Sequence, residues 1–132
     1  MRSILCAGVI LAATCTAAVA SVPTQTSVPP GDARLRGPSG CPSSDEVYVT
    51  VTGTSIADVT FYVDAKRVKF LAVPNQPGGR WALPIRIRRF AFGSHRVQAR
   101  IAFLMAAATP PRTLRLSFNR CRPATVPPRL TG

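Results

Sequence analysis

The chain has 132 residues, 46% of them hydrophobic, and its 17 Lys and Arg residues outnumber its 5 Asp and Glu residues, for a formal net charge of +12. This length accommodates about one domain. The single histidine, without an HExxH motif or a free cysteine pair, argues against a zinc enzyme. The charge predicts attraction to polyanions without selecting one of them.

The first 20 residues have the three parts of a secretory signal peptide. Arg2 supplies a positive charge, "ILCAGVILAAT" (4–14) is apolar, and "AVA" (18–20) provides the small residues for cleavage after Ala20. The sequence therefore predicts a secreted protein, extracellular or associated with the cell envelope, with no membrane span after cleavage. Two alternatives are an uncleaved membrane anchor and a lipoprotein attached through Cys15.

Two further segments lack any hydrophobic period. Residues 21–40 are rich in Pro, Ser, Thr and Gly, and residues 122–132 form a similar Pro-rich tail. Such compositions are typical of disordered linkers. The sequence thus places one folded domain at residues 41–121.

Six segments of this domain alternate between apolar and polar residues, which predicts an antiparallel β-sandwich or barrel because alternate side chains of a strand face opposite sides. In residues 67–72 the alternation points Val68 and Phe70 inward. In residues 80–88 it makes Trp81 part of the core. Pro84 cannot donate to a β-ladder, so its strand is expected at a sheet edge or at a bulge. The six segments are "EVYVTVT" (46–52), "VTFYV" (59–63), "RVKFLA" (67–72), "RWALPIRIR" (80–88), "GSHRVQARIAF" (93–103) and "TLRLSF" (113–118).

Cys41 and Cys121 are the cysteines that remain after removal of the signal peptide. Two cysteines in an exported chain predict one disulfide. The two cysteines are 80 positions apart. A disulfide that closes a loop of that length would contribute on the order of 4 kcal/mol to stability.

Four stretches of the sequence resemble bacterial immunoglobulin-like domains of exported proteins. They are "DVTFYVDAKRVK" (58–69), "GRWALPI" (79–85), "GSHRVQARIAF" (93–103) and "PRTLRLSFNRC" (111–121). The resemblance implies an immunoglobulin-like β-sandwich of about seven strands and no common active site, since such domains serve as spacers, adhesion modules and carbohydrate-associated appendages. Ala65 stands where the family's hairpin has glycine, so this turn is either of another type or strained by about 1 kcal/mol.

His95 is expected to have a structural role. It shares parity with Val97, Ala99 and Ile101, and no nucleophile or second metal ligand accompanies it. Buried polar groups need hydrogen-bond partners, so we expect His95 to pack at a sheet corner and to bond to a backbone carbonyl. We therefore predict neither a catalytic nor a metal site here.

The acidic residues suggest no site by their spacing. Asp45, Glu46, Asp58 and Asp64 do not follow a calcium-loop pattern. Solvated turn and strand positions are the simpler interpretation.

Arginines on the outward faces of the strands are the feature that most directly suggests a binding site. Arg96, Arg100 and Arg115 would form a basic strip if their strands are neighbours, and Arg86 and Arg88 could extend it. Arginine binds phosphate and sulfate in a bidentate manner, so the expected partners are anionic cell-wall or membrane-surface polymers such as teichoic acid, anionic lipid or glycosaminoglycan. Nucleic acid is disfavoured because aromatic stacking residues are few.

The sequence therefore favours a non-catalytic secreted module with a structural or adhesion role at the cell surface, without cofactor. One alternative is a polyanion-binding module that uses the arginine strip. Another is a small secreted inhibitor or effector, which would need an exposed apolar loop such as "FLMAAAT" (103–109).

Overall fold

The computed structural model describes residues 25–125 and 127–130. The predicted signal peptide lies outside these residues. Over the described residues the chain forms seven strands and two short 3₁₀ turns, Ile87–Arg89 and Met105–Ala107. The strands are β1 (Asp32–Arg36), β2 (Glu46–Thr54), β3 (Ile56–Val63), β4 (Lys66–Leu71), β5 (Trp81–Arg86), β6 (Gly93–Phe103) and β7 (Arg112–Arg120).

The strands form two antiparallel sheets that face each other. One sheet has the order β1-β2-β5 and the other the order β4-β3-β6-β7. The fourth strand pairs with the third, so it joins the sheet that holds β6 and β7. The predicted all-β, immunoglobulin-like sandwich of seven strands is confirmed.

The core lies between the sheets and contains the inward positions of the alternating segments. Phe61, Ile101 and Phe118 are among its largest fully buried side chains, and Trp81 is nearly buried. The inward residues alternate with more exposed ones along β3, β6 and β7, which is the pattern expected when one face of a sheet is covered. Burial of the two inner faces is therefore what specifies the pairing of the sheets.

The expected inward orientation of Phe70 is wrong, and Val68 is not a buried core residue. These side chains are 48% and 50% exposed, whereas Leu71 packs against the core. The register of β3 and β4 shifts between Phe61 and Tyr62, and such a bulge reverses which residues of a strand face inward. The sequence showed the alternation, but the bulge decides which of the alternating residues face inward beyond it.

The assignment of residues 21–40 to a disordered linker is also wrong in part, because β1 lies within them. Ala33 is buried on the inner face. A Cβ at Gly53 would overlap the carbonyl oxygen of Asp32, so glycine permits the close pairing of β1 with β2. With apolar side chains only at Ala33 and Leu35, between arginines, the segment was too short to show a period.

Residues before β1 are also fixed to the sandwich. The backbone N–H of Gly31 donates to Thr109 Oγ1 (2.8 Å), Thr54 Oγ1 donates to the Pro30 carbonyl (3.1 Å), and Ser55 Oγ donates to the Pro29 carbonyl (2.7 Å). The folded domain therefore begins at about residue 29, not at residue 41.

β5 is an edge strand, as Pro84 predicted. The Asn75 side chain bonds to both backbone groups of Ala82, donating to its carbonyl at 2.9 Å and accepting from its N–H at 2.7 Å. Ala82 alternates with the inward Trp81 and Leu83, yet it is buried as well. The backbone groups of Ala82 are bonded to Asn75, and Pro84 has no N–H. This edge therefore offers few free backbone hydrogen-bonding groups to another strand.

The predicted disulfide is confirmed. Cys41 and Cys121 are bonded, with their Cα atoms 5.6 Å apart, and join the segment before β2 to the end of β7. Among the described residues there is no helix long and apolar enough to cross a membrane.

Candidate functional site

The outer face of the four-stranded sheet brings together three of the five candidate arginines. Arg115 on β7 lies opposite Gln98 on β6, between the positions of Arg96 and Arg100. Diagonal neighbours on adjacent antiparallel strands are about 7–8 Å apart. Arg96, Arg100 and Arg115 thus form one cluster, which we call the arginine face.

The arginine face is not neutralised by direct ion pairs, although Asp64 lies close enough to Arg96 for the two charges to interact. No ion pair within residues 25–125 and 127–130 involves any of its three arginines. Ser117 lies opposite Arg96 and Thr113 lies opposite Arg100, so residues with hydroxyl side chains neighbour the arginines on this face. An oxyanion on this face could receive hydrogen bonds from both kinds of side chain.

Arg86 and Arg88 do not belong to this cluster. Arg86 lies on β5, in the other sheet, and Arg88 follows it in the 3₁₀ turn. Arg86 approaches Glu46 with an N–O distance of 4.0 Å, and Arg88 approaches Asp45 at 3.6 Å. Their charges are therefore partly compensated, at a different part of the surface.

Aromatic residues border the arginine face, and sequence reasoning missed them. Tyr62 lies opposite Gln98, and the exposed Phe70 lies opposite Thr60. The guanidinium group of Arg67 is 5.5 Å from the centre of the Phe70 ring. Phe70 had been expected in the core, and only the bulge in β4 turns it to this face.

His95 connects the turn between β3 and β4 with the start of β6. Its Nδ1 lies 2.6 Å from Asp64 Oδ2, and its Nε2 lies 2.7 Å from the backbone carbonyl oxygen of Ala91. Phe90 and Phe118 flank the ring at centroid distances of 5.0 and 5.4 Å. The side chain is only 11% exposed, so the ring is held on all sides.

Both ring nitrogens of His95 face acceptors, which favours the protonated imidazolium. The hydrogen bond to Asp64, and next the one to Ala91, raise the pKa of His95 above its usual 6.5 despite desolvation. The same bond lowers the pKa of Asp64 below 3.8, supported by the Arg96 backbone N–H, which donates to Asp64 Oδ1 at 3.0 Å. The pair is therefore an ion pair at mildly acidic pH.

The other acidic residues are spread over the surface. Glu46 accepts a hydrogen bond from the Tyr48 hydroxyl at 2.7 Å, and Asp32 lies 3.6 Å from Arg112. Within the described part of the chain, no three His, Cys, Asp or Glu residues come together to hold a metal ion.

The loop between β6 and β7 exposes apolar side chains. Met105 is 98% exposed and Leu104 is 45% exposed. The αL conformation of Ala108 and the hydrogen bond from Thr109 Oγ1 to the Ala107 carbonyl fix the end of this loop. This is the feature that the inhibitor or effector alternative requires.

Of the comparisons with known proteins, only the one with solved structures gave a match. No protein-family model matches the chain, and no curated protein matches it significantly. Among solved structures, the chain is similar to a fibronectin(III)-like module of CbhA from Clostridium thermocellum, with a TM-score of 0.43 and 16% sequence identity. The match covers 69% of this chain and 100% of that one.

Proposed function

We propose that this protein is a non-catalytic immunoglobulin-like module with a structural or adhesion role at the cell surface. We further propose that it adheres to anionic polymers of the cell wall or membrane surface through the arginine face. The observation that carries the proposal is the grouping of Arg96, Arg100 and Arg115 on one face without an ion-pair partner among the described residues.

The chemistry of this face suits a chain of anionic groups. Residues four apart on one strand are separated by about 13 Å, so Arg96 and Arg100 can contact different groups of one polymer. Arg115 lies between them on the neighbouring strand. A flat sheet surface also leaves a long polymer free to extend past the domain on both sides.

A charge-matched comparison tests the proposal. The test variant carries Arg96→Ser, Arg100→Ser and Arg115→Ser; the control carries Arg34→Ser, Arg36→Ser and Arg129→Ser, three exposed arginines outside the face. Retention of the oxidised proteins is measured on a heparin column and on anionic liposomes across a salt gradient. Circular dichroism verifies the fold of each variant.

The test variant is expected to bind about tenfold more weakly or worse, since each exposed ionic contact contributes up to about 1 kcal/mol and 1.4 kcal/mol is tenfold. The control is expected to lose much less. Equal losses in the two variants would reduce the effect to net charge and overturn the proposed site.

The exposed loop supports a second candidate, a small secreted inhibitor or effector that engages a partner through Leu104 and Met105. A Met105→Ser variant separates the two candidates in the same experiment. Under the adhesion proposal its retention is unchanged, and reduced retention would move the binding site to the loop.

A further inference from the structure

A second basic site lies at the disulfide end of the sandwich, where β2 and β6 begin and β5 and β7 end. An open cleft of about 380 Å³ is bordered there by the Cys41–Cys121 disulfide region. This volume falls within the usual range for small-ligand sites. Its polar lining comprises Ser43, Ser44, Asp45, Arg88, Arg120 and Arg122.

The cleft has an excess of positive charge. Three guanidinium groups face one carboxylate. Asp45 is occupied by Arg88, accepting its backbone N–H at 3.0 Å and lying 3.6 Å from its Nε. Arg120 and Arg122 form no ion pair with any residue that the structure describes, so two positive charges are uncompensated.

One aromatic ring contacts both of these arginines. The guanidinium carbons of Arg120 and Arg122 are 4.3 and 5.2 Å from the centre of the Phe92 ring. Arg120 is also fixed by donating from Nη1 to the carbonyl oxygen of Phe90. Cation–π attraction of this kind stabilises each arginine at the ring, but it leaves the mutual repulsion of the two charges in place.

Hydroxyl donors complete the cleft. Within the described residues, the side chains of Ser43 and Ser44 have no hydrogen-bond partner. A hydroxyl and a guanidinium group are both good donors to phosphate or sulfate oxygens. The cleft thus offers donors and charge but no further acidic group.

We propose that this cleft binds a tetrahedral oxyanion of charge −2, namely inorganic phosphate or sulfate, or the phosphate of a monoester. Arg120 and Arg122 supply the two compensating charges, and Ser43 and Ser44 donate to the remaining oxygens. The site is separate from the arginine face, because Arg120 has inward parity on β7 next to the buried Phe118, whereas Arg115 faces outward.

The test titrates sodium sulfate into the oxidised protein at constant ionic strength, with chloride as the reference salt. Backbone amide shifts of Ser43, Ser44 and Arg122 are followed by NMR. The test variant is Arg122→Gln, which lies beyond the end of β7 and leaves the Arg120 contact to Phe90 intact. The matched control is Arg36→Gln on β1, which removes the same charge elsewhere.

The unaltered protein and the Arg36→Gln control are expected to show saturable shifts at these amides with the same Kd. Arg122→Gln is expected to raise that Kd by about fivefold or more. The Arg96, Arg100 and Arg115 triple variant is expected to retain sulfate binding, so the two proposals fail independently. Unchanged affinity in Arg122→Gln, or shifts that map elsewhere, would overturn the inference.

Phosphate provides a second readout, because its second pKa lies near 6–7 and only sulfate stays dianionic at pH 5.5. Phosphate affinity is expected to fall between pH 8 and 5.5 relative to sulfate affinity, and a parallel pH response of both ions would count against a site selective for charge −2. Comparison of inorganic phosphate with glycerol phosphate then assigns the site to the free ion or to a monoester.

Discussion

At the scale of single residues, the turn between β3 and β4 combines an unfavourable backbone with favourable side-chain bonds. Asp64 and Ala65 both have positive φ angles, 48° and 67°. Asp64 is compensated by its bonds to His95 and to the Arg96 backbone, whereas Ala65 has only a methyl group. The strain expected from the missing glycine is therefore located at Ala65.

Replacing Ala65 with glycine should stabilise the protein. An L-residue in the left-handed region costs roughly 1–2 kcal/mol, which glycine would relieve. Glycine also makes the unfolded chain more flexible, and this offsets about 0.4–1 kcal/mol of the gain. We expect the free energy of unfolding to rise by up to about 1.6 kcal/mol in Ala65→Gly, measured by urea denaturation. A decrease would show that the turn is not strained.

The contact between His95 and Asp64 should make stability depend on pH. A raised His95 pKa contributes stability that is complete below pH 6.5 and is lost as the pH rises through the folded-state value. A lowered Asp64 pKa contributes stability that is complete above pH 3.8 and is lost as the pH falls through the folded-state value. Both contributions are therefore complete between these two values.

The experiment compares urea unfolding at pH 5.5 and pH 8.5 for the unaltered protein and for His95→Gln. The unaltered protein is expected to be less stable at pH 8.5, and the variant is expected to lose most of that difference. Glutamine keeps hydrogen-bonding capacity without titrating, so an equal pH effect in both proteins would assign it to other groups.

At the scale of elements, alternation predicted strands wherever the core supplied several inward side chains. Val59, Phe61 and Val63 made β3 evident, and five inward positions made β6 evident. β1 was missed because a peripheral strand buries few residues, and the inner face of β4 was misjudged because a bulge leaves no mark in a hydrophobic pattern. Long-range packing, rather than local sequence, decides both cases.

Removal of β1 should destabilise the domain, although its segment has the composition of a linker. A variant that starts at residue 29 keeps the bonds of Pro29, Pro30 and Gly31, while a variant that starts at residue 38 uncovers β2 along the edge that β1 pairs with. We expect thermal denaturation to show a clearly lower Tm only for the shorter variant. Equal Tm values would mean that β1 adds nothing to the fold.

At the scale of the whole molecule, the candidate site was predictable in part. Strand parity placed Arg96, Arg100 and Arg115 outward, but their grouping depends on the pairing of β6 with β7, which parity does not give. The ion pairs of Arg86 with Glu46 and of Arg88 with Asp45 could be recognised only in the structure. Arg120 and Arg122 lie far in sequence from Phe92 and from Ser43 and Ser44, so no local pattern indicated that cleft.

The position of the disulfide has a mechanical consequence when the chain is pulled at its two ends. Tension applied to the chain before Cys41 and after Cys121 passes through the covalent bond between them. The core strands β2 to β7 lie inside the closed loop and are shielded from extension. β1 lies outside it, so β1 alone can be peeled away, lengthening the tether by a few residues before the chain becomes inextensible.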